Sequence, residues 1–143
     1  MAKKPEDVRF SKFGTVSFTK TTKVNDFIDY LEQGKVMYSH CKTCGANFFP
    51  PRADCAGCLS SDMEWKEVVG TGKLVSYSQL KFAPVGFDGD IPYTIAMLDY
   101  GDIQVFGRLD SSLEPKDVEV GMELTTVANE LPGGQLNYIF KKA

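Results

Sequence analysis

Downstream of Gly70 the chain alternates apolar and polar residues at every second position, the period of strands with one buried face. The alternation predicts strands over residues 73–82, 93–99, 103–109, 123–129 and 135–140. Tyr100-Gly101-Asp102 and Leu131-Pro132-Gly133-Gly134 supply the residue types that tight reversals need. Between the third and fourth strands, Ser111-Ser112-Leu113-Glu114-Pro115 suits a short helical or loop crossover. Five strands with that one crossover are the layout of a small Greek-key barrel of the OB type. Upstream the period changes. Phe27, Ile28 and Leu31 form a helical stripe over residues 25–33, with Asn25 as a cap and Gly34 as a left-handed stop. Residues 35–40 then alternate like a strand. Residues 1–24 show few periodic positions, yet Phe10, Phe13, Val16 and Phe18 are too apolar for a plain solvated tail. They either fold back on this chain or pack on a partner.

Four cysteines change the picture for the middle of the chain. They fall in two pairs, Cys41-Lys42-Thr43-Cys44 and Cys55-Ala56-Gly57-Cys58, with ten residues between the pairs. Two residues between thiols let both sulfurs of one turn reach a single ion at about 2.3 Å, and two such turns complete a tetrahedron. Gly45 and Gly57 let backbone amides approach the sulfurs without a Cβ in the way. A structural Zn²⁺ held by Cys41, Cys44, Cys55 and Cys58 is the expectation. A rubredoxin-like iron site and a redox dithiol are the alternatives. Four thiolates leave no open position for substrate, so such a metal is structural. His40, the only histidine, precedes Cys41 on a predicted strand, and adjacent strand residues point to opposite faces. It is read as a strand residue and not a ligand. The helix, strand and double knuckle make a rubredoxin-like zinc ribbon, too small to fold without its metal. The organisation expected is therefore mainly β: an N-terminal arm (1–24), a helix and zinc ribbon (25–69), and a five-stranded OB-fold barrel (70–143).

Composition and charge narrow the function. The chain has 143 residues, 43% hydrophobic and 24% charged, as a globular protein does. Its longest apolar run, residues 95–98, is far below the roughly 20 residues of a membrane span. Lys3 and Lys4 are followed by no apolar stretch, so no signal peptide is expected. With thiols committed to metal, a reducing, cytoplasmic setting fits best. A single histidine removes most layouts that need an imidazole base. The net charge is -3. The arm carries six Lys/Arg against two acids, whereas residues 70–143 carry six against ten. An OB barrel that binds single-stranded nucleic acid needs a basic groove with exposed aromatics; this barrel is acidic, and that function is kept only as the alternative. Tyr77, Phe82, Phe87, Tyr93, Tyr100 and Phe106 are read as filling the barrel or covering a sheet face.

Between the cysteine pairs, Phe48-Phe49-Pro50-Pro51-Arg52 presents two rings and a guanidinium on a stiff loop. Arg52 there suits a phosphate, with Phe48 and Phe49 as an apolar wall. The competing reading packs both rings between ribbon and barrel and pairs Arg52 with Asp54. Trp65 is read as the hinge seating the ribbon on the barrel.

The order of these features resembles the family of stand-alone zinc-ribbon/OB-fold proteins that accompany thiolases and bind acyl-CoA. The resemblance rests on Cys41-x-x-Cys44-Gly45, Phe49-Pro50-Pro51-Arg52, Cys55-x-x-Cys58 and Trp65. It continues through Gly70-Thr71-Gly72-Lys73-Leu74-Val75-Ser76-Tyr77, Ile91-Pro92-Tyr93-Thr94, Phe106-Gly107-Arg108-Leu109 and Val120-Gly121-Met122, and covers about residues 24–142. It implies a non-catalytic accessory subunit in an acyltransferase complex, beside a thiolase-type catalytic partner that supplies the reactive cysteine. It implies coenzyme A or acyl-CoA as ligand. Phe48, Phe49 and Arg52 are the contacts expected, with Lys73 and Arg108 as weaker phosphate candidates. One thiolase setting for such a small subunit is benzoylsuccinyl-CoA cleavage in anaerobic aromatic degradation.

Overall fold

The computed structural model describes residues 2–17, 19 and 21–143. Helix α1 (Asp26–Glu32) precedes a ribbon of three strands, β1 (Met37–Cys41), β2 (Asn47–Phe48) and β3 (Met63–Glu67), ordered β2-β1-β3 and antiparallel. Five further strands follow: β4 (Gly72–Leu80), β5 (Tyr93–Asp99), β6 (Gln104–Leu109), β7 (Glu123–Glu130) and β8 (Leu136–Lys142). They close into a barrel in the order β4-β5-β6-β8-β7. Neighbours are antiparallel except β6 and β8, where Arg108 pairs with Ile139 and Leu109 with Phe140 in parallel. That pairing is what the crossover through residues 110–122, with its 3₁₀ turn at Pro115–Asp117, makes possible. The chain is thus mainly β, a zinc-ribbon region followed by a closed five-stranded barrel of OB type. No helix among the described residues is long and apolar enough to cross a membrane.

The five barrel strands fall where period-two alternation placed them, with ends displaced by one or two residues. Their inward positions form one buried core of Leu74, Leu98, Val105, Leu124 and Phe140, continuous with Phe27, Ile28 and Leu31 of α1. Close packing leaves no room for a side chain at Gly107, where a Cβ would stand 2.7 Å from the Tyr138 ring. Asn25 is buried at the start of α1 but does not cap it. Its Nδ2 donates to Thr22 O at 2.7 Å, and Oδ1 has no partner. Two ribbon strands escaped the sequence reading. β2 is only two residues long, and β3 carries Glu64, Lys66 and Glu67, whose charges mask its alternation.

Aromatic side chains join ribbon, arm and barrel. Phe49 meets Phe27 and Tyr138 edge-on, with ring centroids 6.3 and 5.3 Å away. Phe10 stacks on Phe27 at 6.1 Å, and Phe13 lies 6.2 Å from Tyr138. The arm therefore folds back onto its own chain through Phe10 and Phe13, while Phe18 lies outside the described residues. Arg9 bridges Asp7, Asp26 and Asp29, and Lys12 reaches Glu32 at 2.7 Å, so two of the arm's cations pair with α1. Asn47 Nδ2 donates to Asp102 O at 3.2 Å, a second tie from ribbon to barrel. Trp65 has a different place from the hinge expected of it: its ring faces Tyr30 of α1 at 5.6 Å. Among the aromatics assigned to barrel filling, Phe82 is 90% exposed and Phe106 about half exposed. Phe82 lies in the loop beyond β4, outside the alternation, and Phe106 on the outer face of β6.

Because Phe49 links ribbon to barrel, Phe49→Ala is expected to destabilise the fold by about 2–4 kcal/mol, the lower range for a large core truncation at a half-buried site. Urea unfolding followed by far-UV circular dichroism checks this, and an unchanged midpoint would remove Phe49 from the seam.

Candidate functional site

The two cysteine pairs form matching knuckles. In the first, Cys41 N donates to Ala46 O at 2.8 Å and Gly45 N to Cys41 O at 2.9 Å. In the second, Cys55 N donates to Ser60 O at 2.8 Å and Leu59 N to Cys55 O at 3.0 Å. Both turns need a left-handed residue after the second cysteine: Gly45 has φ 81° and Leu59 φ 65°. Glycine takes that conformation freely, whereas a leucine there is strained. Lys42 N donates to Asp62 O at 3.0 Å, and Thr43 and Ser60 share a hydroxyl hydrogen bond of 2.9 Å, locking one knuckle against the other. The four sulfurs lie within 4.8 Å of one another, with Cys41–Cys58 at 3.6 Å and Cys44–Cys55 at 3.5 Å. A tetrahedron of about 2.3 Å zinc–sulfur bonds has edges of about 3.8 Å. The donor set and its spacing fit Zn²⁺, and the four cysteines form a zinc-ribbon site.

Backbone amides prepare the sulfurs unequally. The amides of Cys58 and Gly57, each 3.4 Å from Cys55 Sγ, hold that thiol down to about 6. The Cys44 amide does the same for Cys41, which is also lowered. At Cys58 the Ser60 amide favours the thiolate, but burial and the adjoining sulfurs outweigh it and push the thiol up to about 12. Four negative charges this close repel one another, and a bound dication removes that cost by ligating every thiolate. Gly57 serves a sulfur as expected; Gly45 instead bonds the Cys41 carbonyl. His40 lies outside the cluster, with Nδ1 2.6 Å from Asn47 Oδ1 and Nε2 3.9 Å from Glu64.

The residues expected to meet coenzyme A are not gathered at one place. Phe48, Phe49 and Arg52 line a groove of about 360 Å³ between the ribbon and the β5–β6 turn, together with Asp99 and Asp102. Phe49 is also committed to the aromatic seam. The Arg52 guanidinium lies over the Phe48 ring at 5.5 Å and has no ion-pair partner among the described residues, Asp54 included. Lys73, exposed on β4 opposite Asp99 and Glu123, does not line that groove. Arg108 lies four residues along β6 from the groove residue Gln104, about 14 Å at ~3.4 Å per residue. Its guanidinium covers Tyr93 at 4.1 Å and donates to Asp90 at 3.0 Å.

Two further clefts went unread in the sequence. One, of about 510 Å³, opens at the barrel rim among Asp90, Asp110 and Glu114. The other, of about 400 Å³, is roofed by Phe13–Val16 of the arm. Asp90 joins them, because Thr15 Oγ1 also donates to it at 2.7 Å. Burial raises the Asp90 carboxyl, but the hydrogen bonds from Thr15 and Arg108 prevail and hold it below the usual carboxylate range. No short motif signals these clefts, since their walls come from several segments far apart in sequence, residues 79–139 in the first and 13–138 in the second.

Comparison with known proteins agrees with this architecture. Residues 29–64 match the family model described as ChsH2, rubredoxin-like zinc ribbon domain, and residues 65–129 match ChsH2, C-terminal OB-fold domain. A DUF35 domain-containing scaffold protein of Methanocaldococcus jannaschii is 33% identical over 89 residues, 61% of this chain and 62% of that protein. The chain thus spans less than two thirds of that relative's length. A protein of the same description from Pyrococcus furiosus is 26% identical over 102 residues, 71% of this chain and 74% of its own. Among solved structures, an Ltp2-ChsH2(DUF35) aldolase chain superposes with a TM-score of 0.66 at 23% identity, over 80% of this chain and 89% of that one. A DUF35-family protein from Sulfolobus solfataricus gives 0.54 at 23% identity, over 76% and 81%. Both structures share the fold.

Chelation of the metal is expected to release residues 35–69 before the barrel, because the ribbon buries little apolar surface of its own. Hydrogen exchange with and without chelator reads this directly, and equal protection of both parts would make the ion dispensable. The native protein should be colourless with one zinc per chain by elemental analysis; a red, iron-containing protein would reassign the site. Leu59→Gly, by relieving the left-handed leucine, should stabilise the zinc-loaded fold by about 1 kcal/mol, read as a higher melting temperature.

Proposed function

We propose, for a chain that belongs to the zinc-ribbon/OB-fold family defined by the two ChsH2 domains, the role of a non-catalytic accessory subunit of a thiolase-type enzyme acting on acyl-CoA. The observation that carries this reading is the convergence of all four cysteine sulfurs on one centre. A thiolase takes the acyl group on a cysteine. This chain has no thiol outside the metal shell, so the nucleophile belongs to the partner. The scaffold description of the two archaeal relatives supports an assembling role. The aldolase in which a ChsH2(DUF35) chain occurs shows a similar fold beside a carbon–carbon bond enzyme. We extend both to this chain, with the thiolase as the partner and benzoylsuccinyl-CoA cleavage as one setting.

The surface for the partner is the β4–β5 loop and the barrel face beside it. Phe82 is 90% and Val85 92% exposed on that loop. Tyr77 and Phe106 are half exposed around a shallow cleft on the adjoining strands. Water-exposed apolar groups of this size, close in sequence and on one hairpin, favour burial against another protein. For coenzyme A we propose the Arg52 groove, where an unpaired guanidinium and the Phe48 ring suit a phosphate and a base. Asp99 and Asp102 in the same groove leave it poorly suited to a long polyanion. The barrel rim, with Asp90, Asp110 and Glu114, is similarly unsuited, which weighs against single-stranded nucleic acid.

Co-expression with a candidate thiolase should yield a co-eluting complex that the Phe82→Ser/Val85→Ser double variant loses while keeping its zinc and melting temperature. A partner-free wild-type chain would overturn the assignment. Arg52→Ala should weaken coenzyme A binding to the complex by about 1–3 kcal/mol, the loss of a hydrogen bond to a charged group. An equal dissociation constant by titration calorimetry would leave Arg52 without that role.

A further inference from the structure

The cleft beneath the arm shares no lining residue with the Arg52 groove. Its body is apolar, built from Val16, Leu80, Phe87, Ile95, Phe106 and Tyr138, and its volume is about 400 Å³. The arm closes it as a strap. Gly14 N donates to Leu136 O at 2.7 Å, and Phe13 bridges to Leu136 as a short parallel pair. Thr15 is tied to Asp90 on the far side. Gly86 of the β4–β5 loop approaches so closely that a Cβ there would lie 2.7 Å from Val16 Cγ2. Strap and loop therefore meet over the barrel face and partly cover an open cleft.

Only its far end is polar, with Arg108 and Asn137 in the wall. Arg108 spends one donor on Asp90 and lies over the Tyr93 and Phe87 rings at 4.1 and 5.7 Å, and a guanidinium carries five N–H groups. Asn137 accepts from Asn129 through Oδ1 at 2.9 Å, and its Nδ2 has no hydrogen-bond partner among the described residues. The polar end thus offers donors, and the charge of Arg108 is already balanced by Asp90. Apolar walls with a few convergent donors are the usual form of a small-molecule site. At the ~30 Å³ that a water occupies in the liquid, the volume holds about a dozen heavy atoms. That is an acyl or aryl-acyl group and not a whole coenzyme A.

We propose that this strapped cleft binds a small acyl group, its alkyl or aryl body against Leu80, Ile95 and Phe106 and its carbonyl or carboxylate oxygen on Arg108 and Asn137. The group comes either as a free acid or as the acyl end of a thioester. Binding of a free acid needs neither the partner nor the Arg52 groove, so this site can fail while the accessory role stands, and the reverse.

The test is an amide chemical-shift titration of the isolated, zinc-loaded full chain with 4-phenylbutanoate, 4-phenylbutanol, the CoA thioester of the same acid, and coenzyme A alone. Saturable shifts at Val16, Leu80 and Ile95 are expected with the acid, the thioester or both, whichever is the source, and not with coenzyme A alone. Arg108→Gln should weaken the acid about tenfold, as loss of a hydrogen bond to a charged group does, and leave the alcohol unchanged. Leu80→Trp, filling the cleft, should abolish the shifts while zinc content and melting temperature hold. The proposal is overturned by the absence of saturable shifts at those residues. Equal binding of acid by wild type and Arg108→Gln overturns it as well, and that comparison stands even where Leu80→Trp fails to fold.

Discussion

The ribbon holds its shape because four sulfurs must come within reach of one ion, and little else in it resists unfolding. Its buried side chains are few: Met37, Ser39, Cys41 and Cys55 on the knuckle side, with Val36 and Val68 where it joins the rest. Hydrogen bonds between the knuckles fix local geometry, but apolar burial on this scale does not offset the entropy of ordering some thirty residues. The thiols are unequal: amides hold Cys41 and Cys55 below the usual thiol range, whereas burial and the adjoining sulfurs hold Cys44 and Cys58 above it. A cation bound by all four relieves the crowding of charge. Leu59 held in a left-handed conformation is a local cost that the same centre sustains.

That constraint reaches the barrel through Phe49, which leaves the metal loop to sit against Tyr138 of β8 and Phe27 of α1. The arm uses the same rings, through Phe10 and Phe13. One aromatic cluster therefore serves three segments, and the Tyr138 hydroxyl, donating to Phe106 O at 2.6 Å, fixes its position on the barrel. Burial pushes the Tyr138 phenol well above its ordinary range, so it stays a neutral donor wherever the protein is folded. The position of the arm, and with it the roof of the cleft beneath, thus depends on the packing that seats the ribbon.

What the chain disclosed of this in advance follows from the range of each interaction. Strand alternation and cysteine spacing are local, and the barrel strands and the sulfur cluster could be read from them. Phe10 and Phe13 could be read as apolar but not placed, because their partners Phe27 and Tyr138 are up to about 125 positions away. Arg108 was legible as a cation and not as a paired one. Its neutralisation depends on Asp90, delivered by the β4–β5 loop, whose Gly86 and Gly89 give no periodic signal. Phe82 was misplaced for the related reason that β4 ends at Leu80, two residues short of where its alternation would carry it. Trp65 was read as the hinge seating the ribbon on the barrel, whereas strand pairing with Ser39 turns its ring to Tyr30.

Asp90 shows how barrel and arm are coupled. The carboxylate accepts from Thr15 of the strap and from Arg108 of the cleft wall on one oxygen, Oδ2, so strap position and guanidinium orientation are set at the same atom. The strap lies beside the loop that carries Phe82 and Val85, with Gly86 against Val16. Arm, cleft wall and exposed loop therefore share one packing arrangement, held at Asp90 Oδ2 and at the Gly86–Val16 contact.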